Sequence, residues 1–442
     1  MCPLYLLYKP VAIAYSHTRL LFGNNLERSE TTMKNLTIPR DLTVCCSLLF
    51  FCGSIMSCAD RKDQPPRPRL VVVEVESPAD APSGESNLTV GRDGAIYMSW
   101  VSGEAETGYE LRFSKRAQND WEGALTVASG TDWFVNWADF PALAVNADGI
   151  ALNSWLRKSS SETFSYDIRL ALADDTLSGW GDPFSPHSDG TKTEHGFVSL
   201  QALVNGSFAA LWLDGRQSVD RGPMSLRYCE VNTTGEISAE AVLDTRVCDC
   251  CQTSLAQTAS GVLIAAYRDR SDAEIRDISI VRFADGKWSA PETIHRDNWF
   301  MPGCPVNGPA LAVSGPNVAI AWFTRDSVEA LVYVAFSEDD GLSFSQTIRV
   351  DVGTPEGRVD LAFIDNQTAL VSWLELGADS AALYVRPVSV DGRTGDATLV
   401  AHTSSSRASG FAHLAVNESE MLISWTDTAE PARVRVARVK IL

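Results

Sequence analysis

Apolar runs that end in an aromatic residue recur along the chain. Seven such aromatics lie 51 to 57 residues apart: Trp100, Trp155, Trp212, Tyr267, Trp322, Trp373 and Trp425. Within each unit, short apolar and β-branched runs alternate with turns rich in Asn, Asp and Gly, which is typical of antiparallel strands. No segment after residue 60 shows a sustained helical period. A strand-built unit repeated at this length predicts a β-propeller.

The two ends of the repeat region indicate how the ring closes. The last unit, residues 411–442, is one strand short, and an unpaired apolar run, residues 70–76, precedes the first unit. Pairing these two segments would leave no exposed sheet edge. The sequence therefore predicts an all-β, seven-bladed propeller closed by an N-terminal strand. A six-bladed propeller is the main alternative.

The sequence of the N-terminal region predicts a leader rather than a folded domain. Residues 1–32 resemble neither a signal nor a domain, and residues 33–57 contain a short apolar stretch preceded by Lys34 and Arg40. That stretch is too short to span a bilayer and ends at Cys58 in a pattern that resembles a bacterial lipobox. We expect residues 33–57 to be a signal peptide with a lipobox, Cys58 to be lipidated at the outer membrane, residues 58–68 to form a linker and residues 69–442 to form the propeller. A plain secretory signal is the alternative.

The charge composition of the chain narrows the classes of partner that it is expected to bind. Its 442 residues include 37 basic and 56 acidic side chains, for a net charge of -19. This balance disfavours nucleic acid and anionic membrane surfaces as partners. We therefore expect contact with a membrane only through the lipid anchor, and a small molecule, a glycan or an envelope protein as the partner.

One turn carries a family resemblance. The segment Ser337-Glu-Asp-Asp-Gly-Leu-Ser-Phe344 resembles the Asp-box, or BNR repeat, of the sialidase superfamily. Asp339 can accept hydrogen bonds from turn amides, and Gly341 can supply a positive φ. Ser337 and Phe344 complete the pattern, which is a structural element of that family. The resemblance implies a sialidase-like propeller.

The resemblance also implies a catalytic set. Sialidases bind a substrate carboxylate with three arginines and use carboxyl side chains in hydrolysis. In this chain, the positions shortly after each repeated aromatic residue carry side chains of these types. These positions contain Arg157, Arg268 and Arg325 as ligand-binding residues, with Asp269, Asp326 and Glu375 as catalytic carboxylates. In the segments that enter the blades, Trp137 is expected to stack on a sugar ring and His195 to contact the ligand.

Four cysteines cluster in two segments that enter neighbouring blades. They are Cys248, Cys250 and Cys251 before the fourth blade and Cys304 before the fifth. In an exported protein they are expected to form two disulfides that join loops of adjacent blades, and a vicinal Cys250–Cys251 disulfide is a further possibility. A thiolate site for copper(I) or zinc is the alternative, and no other cofactor is expected.

These observations favour one functional hypothesis and leave two open. The first is an exported, sialidase-like propeller lipoprotein whose Arg- and carboxylate-lined face binds an anionic glycan or a similar small ligand, with exo-sialidase-like hydrolysis as an open question. The second is a non-enzymatic binding or assembly module of the cell envelope. The third is a metal or redox protein built on the cysteines.

Overall fold

The computed structural model describes residues 69–442 except 118, 175, 178, 221, 378 and 379. The predicted leader, signal peptide and linker and the lipidation site Cys58 lie outside the described residues. Within them the protein is all-β, with seven antiparallel sheets and two short 3-10 helices, Arg216–Asp220 and Arg407–Ser409. No helix among these residues has the length and apolarity needed to cross a membrane.

Each sheet is one propeller blade built mainly from consecutive strands. The chain begins with β1 (Leu70–Val75), which belongs to the last blade. Blade 1 contains β2 (Ser83–Val90), β3 (Ile96–Glu104), β4 (Gly108–Ala117), β5 (Asp120–Trp121) and β6 (Leu125–Gly130). Blade 2 contains β7 (Leu143–Val145), β8 (Ala151–Lys158) and β9 (Tyr166–Leu172). Blade 3 contains β10 (His195–Ala202), β11 (Phe208–Asp214), β12 (Met224–Val231) and β13 (Ala241–Val247).

The remaining blades follow the same order. Blade 4 contains β14 (Ser254–Gln257), β15 (Leu263–Arg268), β16 (Ile278–Ala284), β17 (Lys287–Trp288) and β18 (Glu292–Thr293). Blade 5 contains β19 (Ala310–Ser314), β20 (Asn317–Arg325), β21 (Ala330–Ser337) and β22 (Ile348–Arg349). Blade 6 contains β23 (Pro355–Asp365), β24 (Thr368–Leu376), β25 (Ala381–Ser389) and β26 (Thr398–Thr403). Blade 7 contains β27 (His413–Val416), β28 (Met421–Asp427), β29 (Arg433–Ile441) and β1.

The ring closes through the N-terminal strand. β1 pairs with β29 in antiparallel register from Leu70 opposite Ile441 to Val75 opposite Val436. Leu442 N also donates to Arg69 O at 2.9 Å. The prediction of seven blades with this closure is confirmed, and the six-bladed alternative is excluded.

The repeated aromatics form the core of each blade. All seven lie on the second strand of a blade and are at most 6% exposed. Three of the tryptophans donate through the indole N–H to the side chain two residues further along the same strand face. The pairs are Trp100 with Ser102, Trp212 with Asp214 and Trp373 with Glu375, at 3.0, 2.9 and 2.8 Å. The repeat therefore marks core positions, and in three blades it also marks a polar acceptor at the strand end.

Strand direction divides the molecule into two faces. The segments that enter the first strands and those that join second to third strands lie on one face, here called the top face. The turns that join first to second and third to fourth strands lie on the opposite, bottom face. The first strands of all seven blades surround the central channel.

Candidate functional site

The central channel holds a cavity of about 260 Å³ that is lined by the first strand or entering segment of every blade. Its polar lining includes Asn87, Thr89, Asp139, Ser199, Gln201, Gln252, Thr253, Ser254, Asp360 and His413. Its apolar lining includes Phe140, Phe197 and Phe411. A concave site with a few polar groups among aromatic side chains is typical of small-molecule binding.

Three first strands carry a β-bulge near the top of the channel. In β2, β10 and β23 the pairing register shifts immediately after a glycine. The residues that follow these glycines, Glu85, Phe197 and Arg358, have positive φ values of 46°, 54° and 53°. Bulges of this kind re-aim a side chain and are common next to functional sites. The same left-handed conformation in three blades indicates that these bulges redirect side chains at the channel mouth.

Asp139 is the most deeply buried carboxyl group of the cavity. It is 6% exposed, and Oδ1 accepts the Phe197 backbone N–H at 2.6 Å. Tyr166 Oη donates to Oδ2 at 3.4 Å and to Glu194 Oε1 at 3.1 Å. Burial raises the pKa of Asp139 to about 8 and that of Glu194 to about 7. Asp139 is therefore protonated at neutral pH and can act as a hydrogen-bond or proton donor.

A second carboxyl group, that of Asp360, also lines the cavity and lies next to a histidine. Asp360 Oδ2 accepts the Leu414 N–H at 2.7 Å and lies 3.7 Å from His413 Nδ1. Burial raises the pKa of Asp360 to about 7 and lowers that of His413 to about 4. Nε2 of His413 is buried without a hydrogen-bond partner. An unpaired buried nitrogen in a cavity wall is costly unless a ligand or water satisfies it.

An arginine and two aromatic rings form the adjoining part of the channel mouth. The Arg358 guanidinium lies 4.8 Å from the centre of the Trp137 ring, and that ring stacks on Phe411 at 5.9 Å. Nη1 of Arg358 donates to Ser409 Oγ at 2.6 Å and to Gly410 O at 3.1 Å. Burial lowers the pKa of Arg358 to about 10, so it stays charged at neutral pH. Trp137, predicted to stack on a ligand, thus lies at the mouth beside a cation.

The three predicted ligand-binding arginines are not brought together. Arg157 is exposed on blade 2, where Nε donates to Asp132 Oδ2 at 2.6 Å, and Arg325 is exposed on blade 5. Arg268 is 1% exposed, and its guanidinium donates to the carbonyls of Asn307, Arg276 and Phe323 at 2.5–2.6 Å. The donors of Arg268 are thus engaged by backbone within the fold.

The three predicted catalytic carboxylates are likewise separate. Glu375 is buried and accepts the Trp373 indole N–H and the backbone N–H groups of residues 352 and 353. Asp326 is exposed and accepts two backbone N–H groups of its own turn. Asp269 accepts the Arg270 N–H at 2.6 Å, and burial raises its pKa. Each carboxylate of this set has a role in its own turn or strand end.

His195 lies in a buried cluster of histidines and carboxylates. Its ring stacks on that of His187 with centroids 4.0 Å apart, and Nε2 lies 3.2 Å from Asp189 Oδ2. Arg216 pairs with Asp214 of the same cluster at 2.7 Å. Burial lowers the pKa of His187 to about 4. Because His195 is fully buried, a ligand would reach it only after rearrangement of the top face.

The four predicted cysteines converge on the top face. Cys248 Sγ lies 3.0 Å from Cys251 Sγ and 3.9 Å from Cys250 Sγ. A thiol–thiol contact with Cys250 lowers the pKa of the exposed Cys304. No S–S bond joins the described cysteines, because the Cys248–Cys251 separation of 3.0 Å exceeds the bond length of about 2.05 Å. The predicted disulfides therefore stay a prediction.

The Asp-box-like turn lies on the bottom face, away from the channel mouth. It follows β21, and Asp339 accepts the Ser343 N–H at 2.9 Å. Ser337 Oγ accepts the N–H of Gly341 at 2.9 Å, and Gly341 has a φ of 76°. Phe344 packs against the core between blades 4 and 5. The contacts are those of a turn that stabilises its own backbone.

Sequence reasoning missed Asp139, Asp360, His413 and Arg358. Asp139 stands in the aromatic segment that was singled out for Trp137, but charge alone did not distinguish it. Arg358 and Asp360 follow Gly357 in β23. A glycine that interrupts an otherwise apolar first strand is the signal that could have indicated a bulge and the re-aimed side chain.

Comparison with known proteins supports the architecture. No protein-family model and no curated protein matches the chain. A PL25 ulvan lyase solved with -[GlcA(1-4)Rha3S]- bound is similar over 82% of this chain and 95% of its own, at 10% identity and a TM-score of 0.53. A protein of unknown function from Dyadobacter fermentans DSM 18053 is similar over 85% of this chain and 100% of its own, at 13% identity and a TM-score of 0.50. At these identities the likeness shows the propeller fold alone.

Proposed function

We propose that the protein is an exported propeller that binds an acidic glycan at the mouth of its channel. The observation that carries the proposal is one cavity lined by Asp139, Asp360, His413 and Phe411, with the Trp137 ring stacked on Phe411. Aromatic rings provide flat apolar surface for sugar rings, and the carboxyl and imidazole groups can bond to hydroxyls.

The charge state of the cavity supports an anionic ligand. Asp139, with a pKa near 8, is neutral at pH 7, and Asp360, with a pKa near 7, is partly neutral. Both can then donate hydrogen bonds to a carboxylate or sulfate instead of repelling it. Arg358 adds one buried positive charge near the cavity; because its guanidinium already donates to Ser406 O, Ser409 Oγ and Gly410 O, it would act through its field and not by direct contact with the ligand. This set replaces the Arg157, Arg268 and Arg325 triad as the proposed anion-binding group.

Titration calorimetry with a panel of acidic and neutral oligosaccharides tests the proposal. Trp137→Ala and Asp360→Asn should each weaken binding of an acidic oligosaccharide at least about tenfold, a loss of about 1.4 kcal/mol. Trp121→Ala and Asp148→Asn, which lie away from the channel, are the matched controls. Equal affinities for all four variants would refute the channel mouth as the binding site.

Product analysis on the same mixtures separates an enzyme from a binding module. A carboxyl group with a raised pKa is suited to general acid catalysis, so Asp139 and Asp360 are the candidates for a proton donor. Release of a shortened saccharide that is lost in Asp139→Asn, with binding retained, would establish hydrolysis or elimination. Binding without any product would establish the non-enzymatic alternative.

Export and lipidation at Cys58 are part of the proposal. They are supported by the apolar stretch that ends at Cys58 in a pattern that resembles a lipobox. Expression of the full chain in a bacterium with metabolic labelling by a palmitate analogue tests them. Labelling that disappears in Cys58→Ala is expected, whereas a labelled Cys58→Ala variant would contradict the assignment.

A further inference from the structure

The entering segment of blade 4 places three sulfur atoms around one point. One ligand atom from each of Cys248, Cys250 and Cys251 lies within 4.8 Å of the others. Three thiolates around one zinc ion, with Zn–S bonds of about 2.3 Å, would be about 3.8–4.0 Å apart. The Cys248–Cys250 distance of 3.9 Å already fits, and the Cys248–Cys251 distance of 3.0 Å would need to open. The three cysteine side chains would therefore need to move only slightly to bind a zinc ion.

The backbone that carries these cysteines is held at both ends. Cys248 N donates to Arg268 O at 3.0 Å. Gln252 Nε2 donates to Ala138 O at 2.6 Å, and its Oε1 accepts the Gly308 N–H at 3.0 Å. A site whose ligands sit on a fixed backbone loses little conformational entropy when it binds a metal.

Arg276 supplies an independent indication of an anionic centre. Its side chain is 2% exposed, and Nε and Nη1 are buried without an N or O hydrogen-bond partner. Nη2 donates to Glu274 Oε2 at 2.8 Å, so one edge of the guanidinium remains unsatisfied. Burying such donors costs free energy unless a negative charge faces them, and the Cys248 sulfur and the Asp249 carboxylate are the neighbouring groups that can carry it.

We propose that Cys248, Cys250 and Cys251 bind one thiophilic d10 metal ion, copper(I) or zinc, and that Cys304 is an additional ligand from the blade 5 entering segment. Thiolates are the protein ligands that select these ions. Three thiolates with copper(I) carry a net charge of -2, and with zinc a net charge of -1, which the Arg276 guanidinium offsets. Binding releases the thiol protons to solvent.

A disulfide between Cys248 and Cys251 is the competing arrangement. It would remove two protons and two electrons, and an oxidant of the envelope would accept them. Cys250 could then pair only with Cys304, and the buried edge of Arg276 would lose the Cys248 thiolate and keep Asp249 as its anionic neighbour. A metal ion accounts for all three sulfur atoms and for the arginine.

Anaerobic titration of the fully reduced protein with copper(I) or zinc tests the site. Copper(I) is supplied against bicinchoninate and zinc against a chromogenic chelator, with stoichiometry read by native mass spectrometry. One ion per chain is expected, with a thiolate charge-transfer absorption for copper(I). Cys251→Ser should lower the affinity at least about 100-fold, and Arg276→Met about 10- to 100-fold with unchanged stoichiometry.

Two further variants keep the result interpretable. Cys229→Ala removes a buried thiol of β12 outside the cluster and should leave affinity unchanged. Cys304→Ser changes an exposed residue and should not affect folding; it should weaken zinc, which favours four ligands, more than copper(I). A reduced protein that retains neither ion would overturn the proposal, as would metal retention by Cys251→Ser equal to that of the unchanged chain. So would a Cys248–Cys251 disulfide that persists under reductant.

Discussion

The carboxyl group of Asp139 shows how one residue can combine a structural and a functional property. It accepts a short backbone hydrogen bond from blade 3 while lining the cavity from the segment that enters blade 2. The hydrogen bond favours the ionised form, but burial has the larger effect and raises the pKa to about 8. The same group therefore joins two blades and supplies a proton donor to the channel.

The raised pKa predicts a specific pH dependence of stability. Because the pKa of Asp139 is higher in the folded protein than in the unfolded chain, it contributes stability that is complete below about pH 4 and is lost as the pH rises through about 8. The amide of Asp139→Asn cannot ionise. Its free energy of unfolding in urea should therefore fall less between pH 5 and pH 8 than that of the unchanged protein. Asp148→Asn is the control, and identical slopes in all three proteins would contradict the assignment.

Gly196 makes room for this carboxyl group. A Cβ atom at residue 196 would collide with Asp139 Oδ2 and lie 3.0 Å from the Tyr166 ring. Gly196→Ala should therefore destabilise the protein by about 1–3 kcal/mol, as overpacking does, and displace Asp139. Gly123→Ala, at an exposed position where a Cβ meets open space, should be near neutral. Thermal unfolding measures both, and a neutral Gly196→Ala would show that Asp139 can move freely.

Single residues were the hardest part to predict from the sequence. Arg268 was chosen because it follows the repeated aromatic, and its position on the top face is as predicted. Two of the three carbonyls that bury it, those of Asn307 and Phe323, belong to segments 39 and 55 residues away in sequence. The cysteines were easier to place together because they stand in segments that enter adjacent blades.

At the scale of elements, the repeat was predictable and the bulges were not. Alternation with a period of two indicates strands, and the aromatic spacing indicates blades. A bulge adds one residue to one strand and shifts its facing side chains. In β23, this shift determines where Arg358 and Asp360 point, and the periodicity of the sequence does not predict the shift.

Closure by β1 predicts a graded response to mutation within one strand. Leu70 is 5% exposed and packs in a cluster with Leu414, Trp425 and Val439, whereas Val73 is 46% exposed. Leu70→Ala should lower the free energy of unfolding by about 2–4 kcal/mol. Val73→Ala should change it by less than about 0.5 kcal/mol. Urea unfolding of both variants checks this, and equal effects would argue against β1 as a packed strand of blade 7.

At the scale of the molecule, the direction of β1 orients the propeller. β1 runs opposite to β29, so Leu70 lies at the bottom face and Val75 toward the top. Any segment that precedes Leu70 is therefore joined to the ring at the face opposite the channel mouth and the cysteines.

This geometry predicts the orientation of a tethered protein. In a Cys304→Ser background, a histidine tag placed before Arg69 would attach the chain to nickel-chelating vesicles. A fluorophore at Asp148→Cys, in a bottom turn of blade 2, should be quenched by nitroxide lipids more strongly than one at Arg157→Cys, at the top of the same blade. Equal quenching would show that the attached ring tumbles freely or lies on its side.

The position of the N-terminal end of β1 therefore affects how ligands reach the channel mouth. If Cys58 is lipidated as proposed and the quenching experiment gives the expected orientation, the channel mouth faces away from the membrane. Ligands, including large polymers, would then reach it by diffusion through solution and not by movement along the lipid surface.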